Sequence, residues 1–393
     1  MYVQREIREK FKKIMTIYPI IALVGARQSG KTTFLKEQIK GMNSSYLLFD
    51  DPDIMELFEE DIKKFEKQFI EGYDVSVLDE VHYCKDAGRK LKYLADRHKK
   101  IWVTSSSEIL LNKEVLSYLV GRVSILRLYP FSIQEFLNFK KQKEITSKML
   151  QRNIWEHLTF GGYPKVVTIN DFELKKTILR DLYDTMILKD IAKAFSIEDL
   201  KSLEDFVRYL SLNIGNAISY ENISNDISLS FQTLRKYLNA MEKSYLIFRV
   251  SPFYTNKLKE ITKQQKVYFV DTGMRNVIAR KFDSHFDGDV FENYVLSELL
   301  KIGLYPKYWR TKTKAEVDFI IEDGREIIPL EVKMSANPGK IERSMRSFIE
   351  KYSPKKAFIV TYKGEKGEMK VNKCRIIFTD IIGMRKALIK IKS

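Results

Sequence analysis

Gly25, Ala26, Arg27, Gln28, Ser29, Gly30, Lys31, Thr32 and Thr33 contain a complete G-x-x-x-x-G-K-[ST] run, whose chemistry is the capture of phosphate. Gly25 and Gly30 let backbone N–H groups wrap phosphate oxygens, Lys31 can reach the β and γ oxygens, and the Thr32 hydroxyl can ligate Mg²⁺. The run "PIIALV" before it reads as a strand and "TFLKEQIK" after it as a helix, the context the motif requires. A second apolar run, "VSVLDE", ends in Asp79 and Glu80. One carboxylate there can hold Mg²⁺, and the other can orient or deprotonate an attacking water. The expected ligands are therefore ATP and Mg²⁺.

A different chemistry is available in "KAEVDFIIEDGREIIPLEVK". Asp323-Gly324 is a two-residue hairpin signal, because a type I′ turn needs positive φ at both central positions. That turn sets Glu322 against Arg325 and Glu316 against Glu331. Strand alternation then sends Glu316, Asp318, Glu331 and Lys333 to one face, and Val317, Phe319, Ile321, Ile328, Leu330 and Val332 to the other. Three carboxylates and an ammonium would converge. A solvated hairpin face has the same alternation, and Pro329, which has no ladder donor, marks a local bulge or edge.

The elements that must carry these residues follow from pattern. Up to about residue 140, the runs "IIALV", "YLLF", "VSVLD", "IWVTS" and "SILRL" alternate with amphipathic stretches, as in a parallel sheet wrapped by helices. "SSYLLFDD" puts a strand between the phosphate-loop strand and the Asp79 strand. From 140 to about 194 the period is helical, broken at "FGGYPK". Residues 200–250 read as short helices, the clearest capped by Ser230 and burying Leu234, Leu238 and Met241. Two strands flanking a lysine-rich loop follow, then mixed strands and helices to the end.

The 393 residues suffice for two to four domains, each with its own core. A formal net charge of +16 points to a polyanion, nucleic acid before an anionic membrane surface. Cys84 and Cys374 are too few for a disulfide framework or a multi-cysteine zinc site, and a reducing cytoplasm fits them. The N-terminal run has no signal-peptide core, and no segment has 18 consecutive apolar residues, so a soluble protein of the cytoplasm with no membrane partner is expected.

With Glu80 adjacent to Asp79 and an added strand, the first region resembles the catalytic-glutamate P-loop ATPases, particularly the AAA+ group. "WVTSSS" then resembles the strand carrying the first sensor of the γ-phosphate, implying Ser106 or, nearly as well, Ser105 for that part. "LVGRVSILRLYPFSIQEFL" resembles a segment of a large family of prokaryotic AAA+ ATPases whose cellular role is mostly unassigned. In that resemblance Arg122 is a γ-phosphate or neighbour-subunit arginine, alongside the reading of an ordinary surface arginine at a strand start. The family usually has Thr-Gly-Ser-Ser at the sensor strand, where this chain has Thr104, Ser105, Ser106 and Ser107.

The likeness continues through "FGGYPKVV", "KVYFVDTGMRNVIA", "FENYVLSELL" and "LEVK". It implies an α/β multidomain chain: a P-loop AAA+ parallel-sheet ATPase domain over 1–140, a helical lid over 141–200, a winged helix over 201–280, and an α/β restriction-endonuclease-like domain of the PD-(D/E)XK type over 281–393. Glu292, Asp318 and Glu331 would then bind Mg²⁺ or Mn²⁺ beside Lys333, with Glu316 a further ligand or a neighbour. Gln232, Arg235 and Lys236 would lie on a recognition helix, and Lys257, Lys259, Lys263 and Lys266 on a basic wing. The implied partner is duplex or branched DNA, and the implied assembly a homo-oligomer, with a hexamer among the candidates. A DNA motor with a non-catalytic nuclease-like domain, or a switch that binds a protein, are the rival readings. His82 reads as a packed or surface histidine rather than a sensor, and His98, His157 and His285 lack metal-ligand spacing.

Overall fold

The computed structural model describes residues 2–97, 100–106, 116–141, 146–188, 191–192, 195–282, 285–324 and 326–392. Ser107, His98 and Arg325 lie outside these. Strands β1 (Ile20–Val24), β2 (Ser44–Leu48), β3 (Val75–Asp79), β4 (Ile101–Ser105) and β5 (Val123–Arg127) pair in parallel in the order β2-β3-β4-β1-β5. Their near-continuous apolar sequences reflect burial on both faces. Ile20, Ala22 and Val24 join the cluster of Phe49, Phe58 and Phe65, while Ile21 and Leu23 meet Phe11, Phe34 and Trp102 on the other side. β2 follows β1 and precedes β3 in the chain, as read from "SSYLLFDD", while in space β4 separates β1 from β3 and β2 lies at the outer edge.

Beyond the sheet, the helices Ser147–Phe160, Pro164–Val167 and Phe172–Leu182 follow, and no strand occurs among the described residues of 141–200. The "FGGYPK" break is tied down from far along the chain: Gly162 N donates to Asp271 Oδ2 at 2.7 Å, and Asp271 also caps the helix Thr272–Ala279 through Met274 N at 3.1 Å. The helices Leu200–Leu212, Tyr220–Ile227 and Phe231–Lys243 come next, the last capped by Ser230 as expected. An antiparallel pair, β6 (Ile247–Val250) and β7 (Lys266–Phe269), ends this region. The lysine-rich segment between them contains the helix Lys257–Thr262.

The remaining strands are β8 (Lys307–Arg310), β9 (Glu316–Asp323), β10 (Glu326–Lys333), β11 (Lys356–Thr361), β12 (Gly367–Val371) and β13 (Cys374–Thr379), in a mixed sheet ordered β12-β13-β11-β10-β9-β8. Phe291, Tyr294 and Val295 of the helix Gly288–Lys301 join Phe319, Ile328 and Leu330 in one core. Met345, Phe348 and Ile349 of the helix Arg343–Tyr352 join Val317, Ile320 and Ile359 in another.

The β9–β10 hairpin departs from expectation twice. Asp323 pairs with Glu326, so Gly324 at φ 59 begins the connection and Asp323 is still strand. Along the other edge, the three residues Lys307–Trp309 of β8 lie opposite the four residues Val317–Ile320 of β9. This irregularity breaks the period of two: Val317 and Ile320 share one core, while Phe319 and Ile321 join the opposite one.

Candidate nucleotide site and the C-terminal carboxylates

The phosphate loop leaves the C-terminal end of β1 and enters the helix Lys31–Gln38. Gly25 is required by close approach, because a Cβ there would lie 2.1 Å from the Leu128 carbonyl oxygen. Gly30 is the helix N-cap at φ 96, a left-handed conformation that favours glycine. Lys31 is buried, and its Nζ donates to the Gly25 and Ala26 carbonyls at 3.0 and 3.2 Å. Burial lowers its pKa, against the attraction of Glu80 and Asp79.

Parallel topology brings the ends of β1, β3 and β4 to the same edge of the sheet. Asp79 Oδ2 accepts from the Thr32 hydroxyl at 2.9 Å and from the Tyr46 hydroxyl, while Oδ1 accepts from the Thr104 hydroxyl. The Thr104 oxygen also accepts from Glu80 N at 2.9 Å. Glu80 itself stands at φ 60, a strained turn that aims its carboxylate beside the loop. Ser106 N donates to Glu80 Oε2 at 3.2 Å, and His82 Nδ1 is 3.2 Å from the same oxygen. Burial raises the Glu80 pKa, opposed chiefly by Lys31, and brings His82 down to about 4, a neutral ring at pH 7.

These donors fit a Mg²⁺–nucleotide. Thr32 and Asp79 are already neighbours where the ion would be shared with phosphate, and Lys31 donates to the Gly25 and Ala26 carbonyls beside them. Ser106 reaches Glu80 through its backbone, and Ser105 is buried. Thr104 and Tyr46 complete the Asp79 shell without having been singled out in the sequence. Thr104 in "WVTS" was the available signal, since β4 lies beside β3.

Arg122 falls elsewhere. Ile20 N donates to its carbonyl, so it stands at the N-terminal edge of the sheet, opposite its own phosphate loop, and its Nε donates to Asp96 Oδ1 at 2.5 Å. A γ-phosphate contact within one chain is corrected by this position. A neighbour-subunit role is unaffected by it.

The C-terminal carboxylates are not brought to one point. Glu292 Oε1 accepts from Tyr268 OH and lies 3.4 Å from Lys266 Nζ, which also pairs with Glu316 Oε1. Asp318 Oδ2 accepts from Val332 N at 2.7 Å. Glu331 pairs with Ile359 across β10–β11, on the face packed by the helix Arg343–Tyr352, and its Oε1 is 3.0 Å from Lys333 Nζ. Glu331 shares the face of Ile359 and Glu292 comes from the helix on the other face, but buried Asp318 lies within electrostatic reach of both. Burial together with the Glu292 charge raises the Asp318 pKa well above the usual carboxylate range. Among the described residues no three Asp, Glu, His or Cys side chains gather as ion ligands. The expected Mg²⁺ or Mn²⁺ set does not fit this geometry, although Glu331 Oε2 is buried without a hydrogen-bond partner.

Gln232, Arg235 and Lys236 are exposed together on the helix Phe231–Lys243, with Lys236 Nζ donating to Ser196 O at 2.8 Å. The basic wing is corrected in part. Lys257 pairs with Glu322 at 2.9 Å and Glu260 at 3.1 Å, Lys266 is buried, and Lys259 and Lys263 remain exposed.

Residues 18–137 match a family model described as an AAA domain, which supports an AAA+ ATPase reading of that part of the chain. Residues 151–285 and 287–380 match two domains of unknown function, DUF8612 and DUF4143. An uncharacterized protein of Methanocaldococcus jannaschii is 28% identical over 88% of this chain and 80% of its own length. Another uncharacterized protein, from Haemophilus influenzae, is 26% identical over 80% and 82%. Among solved structures, the Walker-type ATPase of Pyrococcus abyssi covers 70% of this chain and 96% of its own, at 14% identity and a TM-score of 0.49. The chain is thus an α/β multidomain protein with a parallel-sheet P-loop domain and a C-terminal mixed-sheet domain. No helix among the described residues is long and apolar enough to cross a membrane.

Proposed function

We propose that this protein hydrolyses ATP with Mg²⁺ and couples the nucleotide cycle to DNA, with the C-terminal domain gripping DNA without cutting it. The observation that carries the ATPase part is Asp79, held between the Thr32 and Thr104 hydroxyls with Glu80 next in the chain. Lys31 binds the β and γ phosphates, Thr32 and Asp79 hold the ion, and Glu80 orients the attacking water and draws its proton. Bound magnesium would supply charge neutralisation to the phosphates.

The DNA part is supported by the +16 charge and by the order of three helices, Leu200–Leu212, Tyr220–Ile227 and Phe231–Lys243, followed by an antiparallel pair, which is the order of a winged helix. Gln232, Arg235 and Lys236 are the groups we assign to DNA, with Lys259 on the adjoining segment. The C-terminal run of helix, three strands, helix and strand supports the nuclease-like fold, while the lack of three gathered ion ligands among the described residues argues against cleavage. A cytoplasmic homo-oligomer is the setting we propose, in which Arg122 of one copy could serve a neighbour.

A nucleotide-regulated switch for a protein partner is the second reading. It is favoured by Phe231, Leu258 and Ile261, which are 54%, 72% and 80% exposed on the surfaces assigned to DNA. ATP turnover and binding measured with duplex, single-stranded and branched DNA across a salt series separate the two. DNA contact through about six phosphates gives a log–log slope near −5. Absence of binding at low salt transfers the assignment to the switch, and metal-dependent cutting of any of these substrates overturns the non-catalytic reading of the C-terminal domain.

A further inference from the structure

Behind the phosphate loop runs a chain of charges, buried except at Glu6, that the ATP reading does not use. Arg5 is 4% exposed, and each of its three guanidinium nitrogens donates: Nη1 to Ser29 O at 2.8 Å, Nη2 to Tyr129 O at 2.5 Å, and Nε to Glu135 Oε1 at 3.0 Å. Ser29 is a residue of the loop itself. In a planar trans peptide the carbonyl and the following N–H point to opposite sides. Fixing the Ser29 carbonyl toward Arg5 therefore aims the Gly30 N–H the other way, into the loop where phosphate oxygens would sit.

The hold does not end at Arg5. Glu135 Oε1 also accepts from Glu6 N at 2.7 Å. Glu6 Oε2 in turn accepts from the Ser132 hydroxyl at 2.5 Å and from Arg385 Nη2 at 2.6 Å. Arg385 Nη1 donates to Glu298 Oε2 at 2.6 Å, and Glu298, fully buried, also accepts from Ile133 N at 3.1 Å. Glu298 lies on the helix Gly288–Lys301, the helix that carries Glu292. A cavity of about 270 Å³ lined by Arg5, Glu6, Glu135 and Lys301 adjoins the chain, leaving it room to shift.

Resting on the ATP reading, we propose that Arg5 is a positioning residue for the nucleotide phosphates, and that Glu6, Arg385 and Glu298 make its hold on the loop depend on the C-terminal domain. Arg5→Lys keeps the charge but loses the fork that serves three acceptors at once. It should raise KM for ATP about tenfold, the size of one hydrogen bond to a charged group. Glu6→Gln keeps the shape, weakens the link to Arg385, and should raise KM about threefold in the same direction. KM is the deciding readout, because a merely misfolded fraction lowers apparent kcat and leaves KM alone. Wild-type turnover with an unchanged KM in Arg5→Lys overturns this inference alone, and an unchanged KM in Glu6→Gln overturns its coupling to the C-terminal domain. A wild-type chain with no ATP turnover brings down the ATP reading and this inference together.

Discussion

Two lysines, Lys31 in the phosphate loop and Lys266 in β7, are both almost wholly buried, yet their environments differ in kind. Burial lowers the pKa of Lys31, and the carboxylates of Glu80 and Asp79 do not restore it. Burial acts on Lys266 too, but Glu292 and Glu316 outweigh it and its pKa is raised. A buried ammonium in direct contact with carboxylates is a structural ion pair. One bonded to carbonyls, with Glu80 and Asp79 acting only at longer range and not offsetting its burial, favours an added anion from outside. The phosphate loop is therefore organised around a ligand, whereas the Glu292–Glu316 cluster has its cation built in.

The sharpest way to break this comparison is to remove each ammonium. Lys31→Ala should lower ATP turnover by about a hundredfold or more, measured as phosphate release, with little change in the denaturation midpoint. Lys266→Met should do the reverse. It leaves buried carboxylates uncompensated and should cost about 3 kcal/mol in denaturant unfolding, with turnover per folded molecule retained. If Lys266→Met instead leaves stability intact and creates tight Mn²⁺ binding, the cluster is a metal site held shut.

Acid should test the buried network more gently. Burial draws His157 down to about 3, so it stays neutral in the fold while its unfolded counterpart protonates near 6.5. The unfolded chain then binds more protons between these values, and stability falls as pH drops through that window, by roughly 2 kcal/mol at pH 5 from this residue. Glu298, held down to about 2 by Lys301 and Arg385 against the cost of burial, loses its contribution only at still lower pH. Buried carboxylates with raised pKa, Asp271, Asp318 and Glu331 among them, act with the opposite sign. The slope is therefore read as the difference in thermal unfolding between wild type and His157→Gln from pH 7 to pH 4, and a difference that does not change with pH would deny that His157 is buried neutral. The smallest effect is expected at Lys257. Its pairing with Glu322 and Glu260 should make Lys257→Ala change DNA affinity by less than about 0.5 kcal/mol, as titrated at fixed salt.

The phosphate site was legible in the sequence because its loop is contiguous and its carboxylates end a strand of a parallel sheet, where topology delivers neighbouring strand ends to one edge. The five strands of that sheet were readable as apolar runs for the same reason. Their spatial order was not: periodicity is blind to which strand sits beside which, so Thr104 and Tyr46 went unnoticed. The hairpin departed on two counts: Asp323 stays in the strand so the connection begins at Gly324, and a strict period of two cannot survive the extra β9 residue between Val317 and Ile320. Arg5 was invisible because its partners Ser29, Tyr129 and Glu135 lie 24 to 130 positions away.

The central claim is that Glu80 serves the attacking water at a site built by Lys31, Thr32 and Asp79. Its most direct test is Mg²⁺-dependent phosphate release and equilibrium ATP binding measured side by side for wild type and Glu80→Gln. Wild type should turn over, while Glu80→Gln should bind ATP within about threefold of wild type and release phosphate at roughly a hundredth of its rate or less. Hydrolysis by Glu80→Gln at the wild-type rate, or no phosphate release by wild type with or without DNA, would contradict the account.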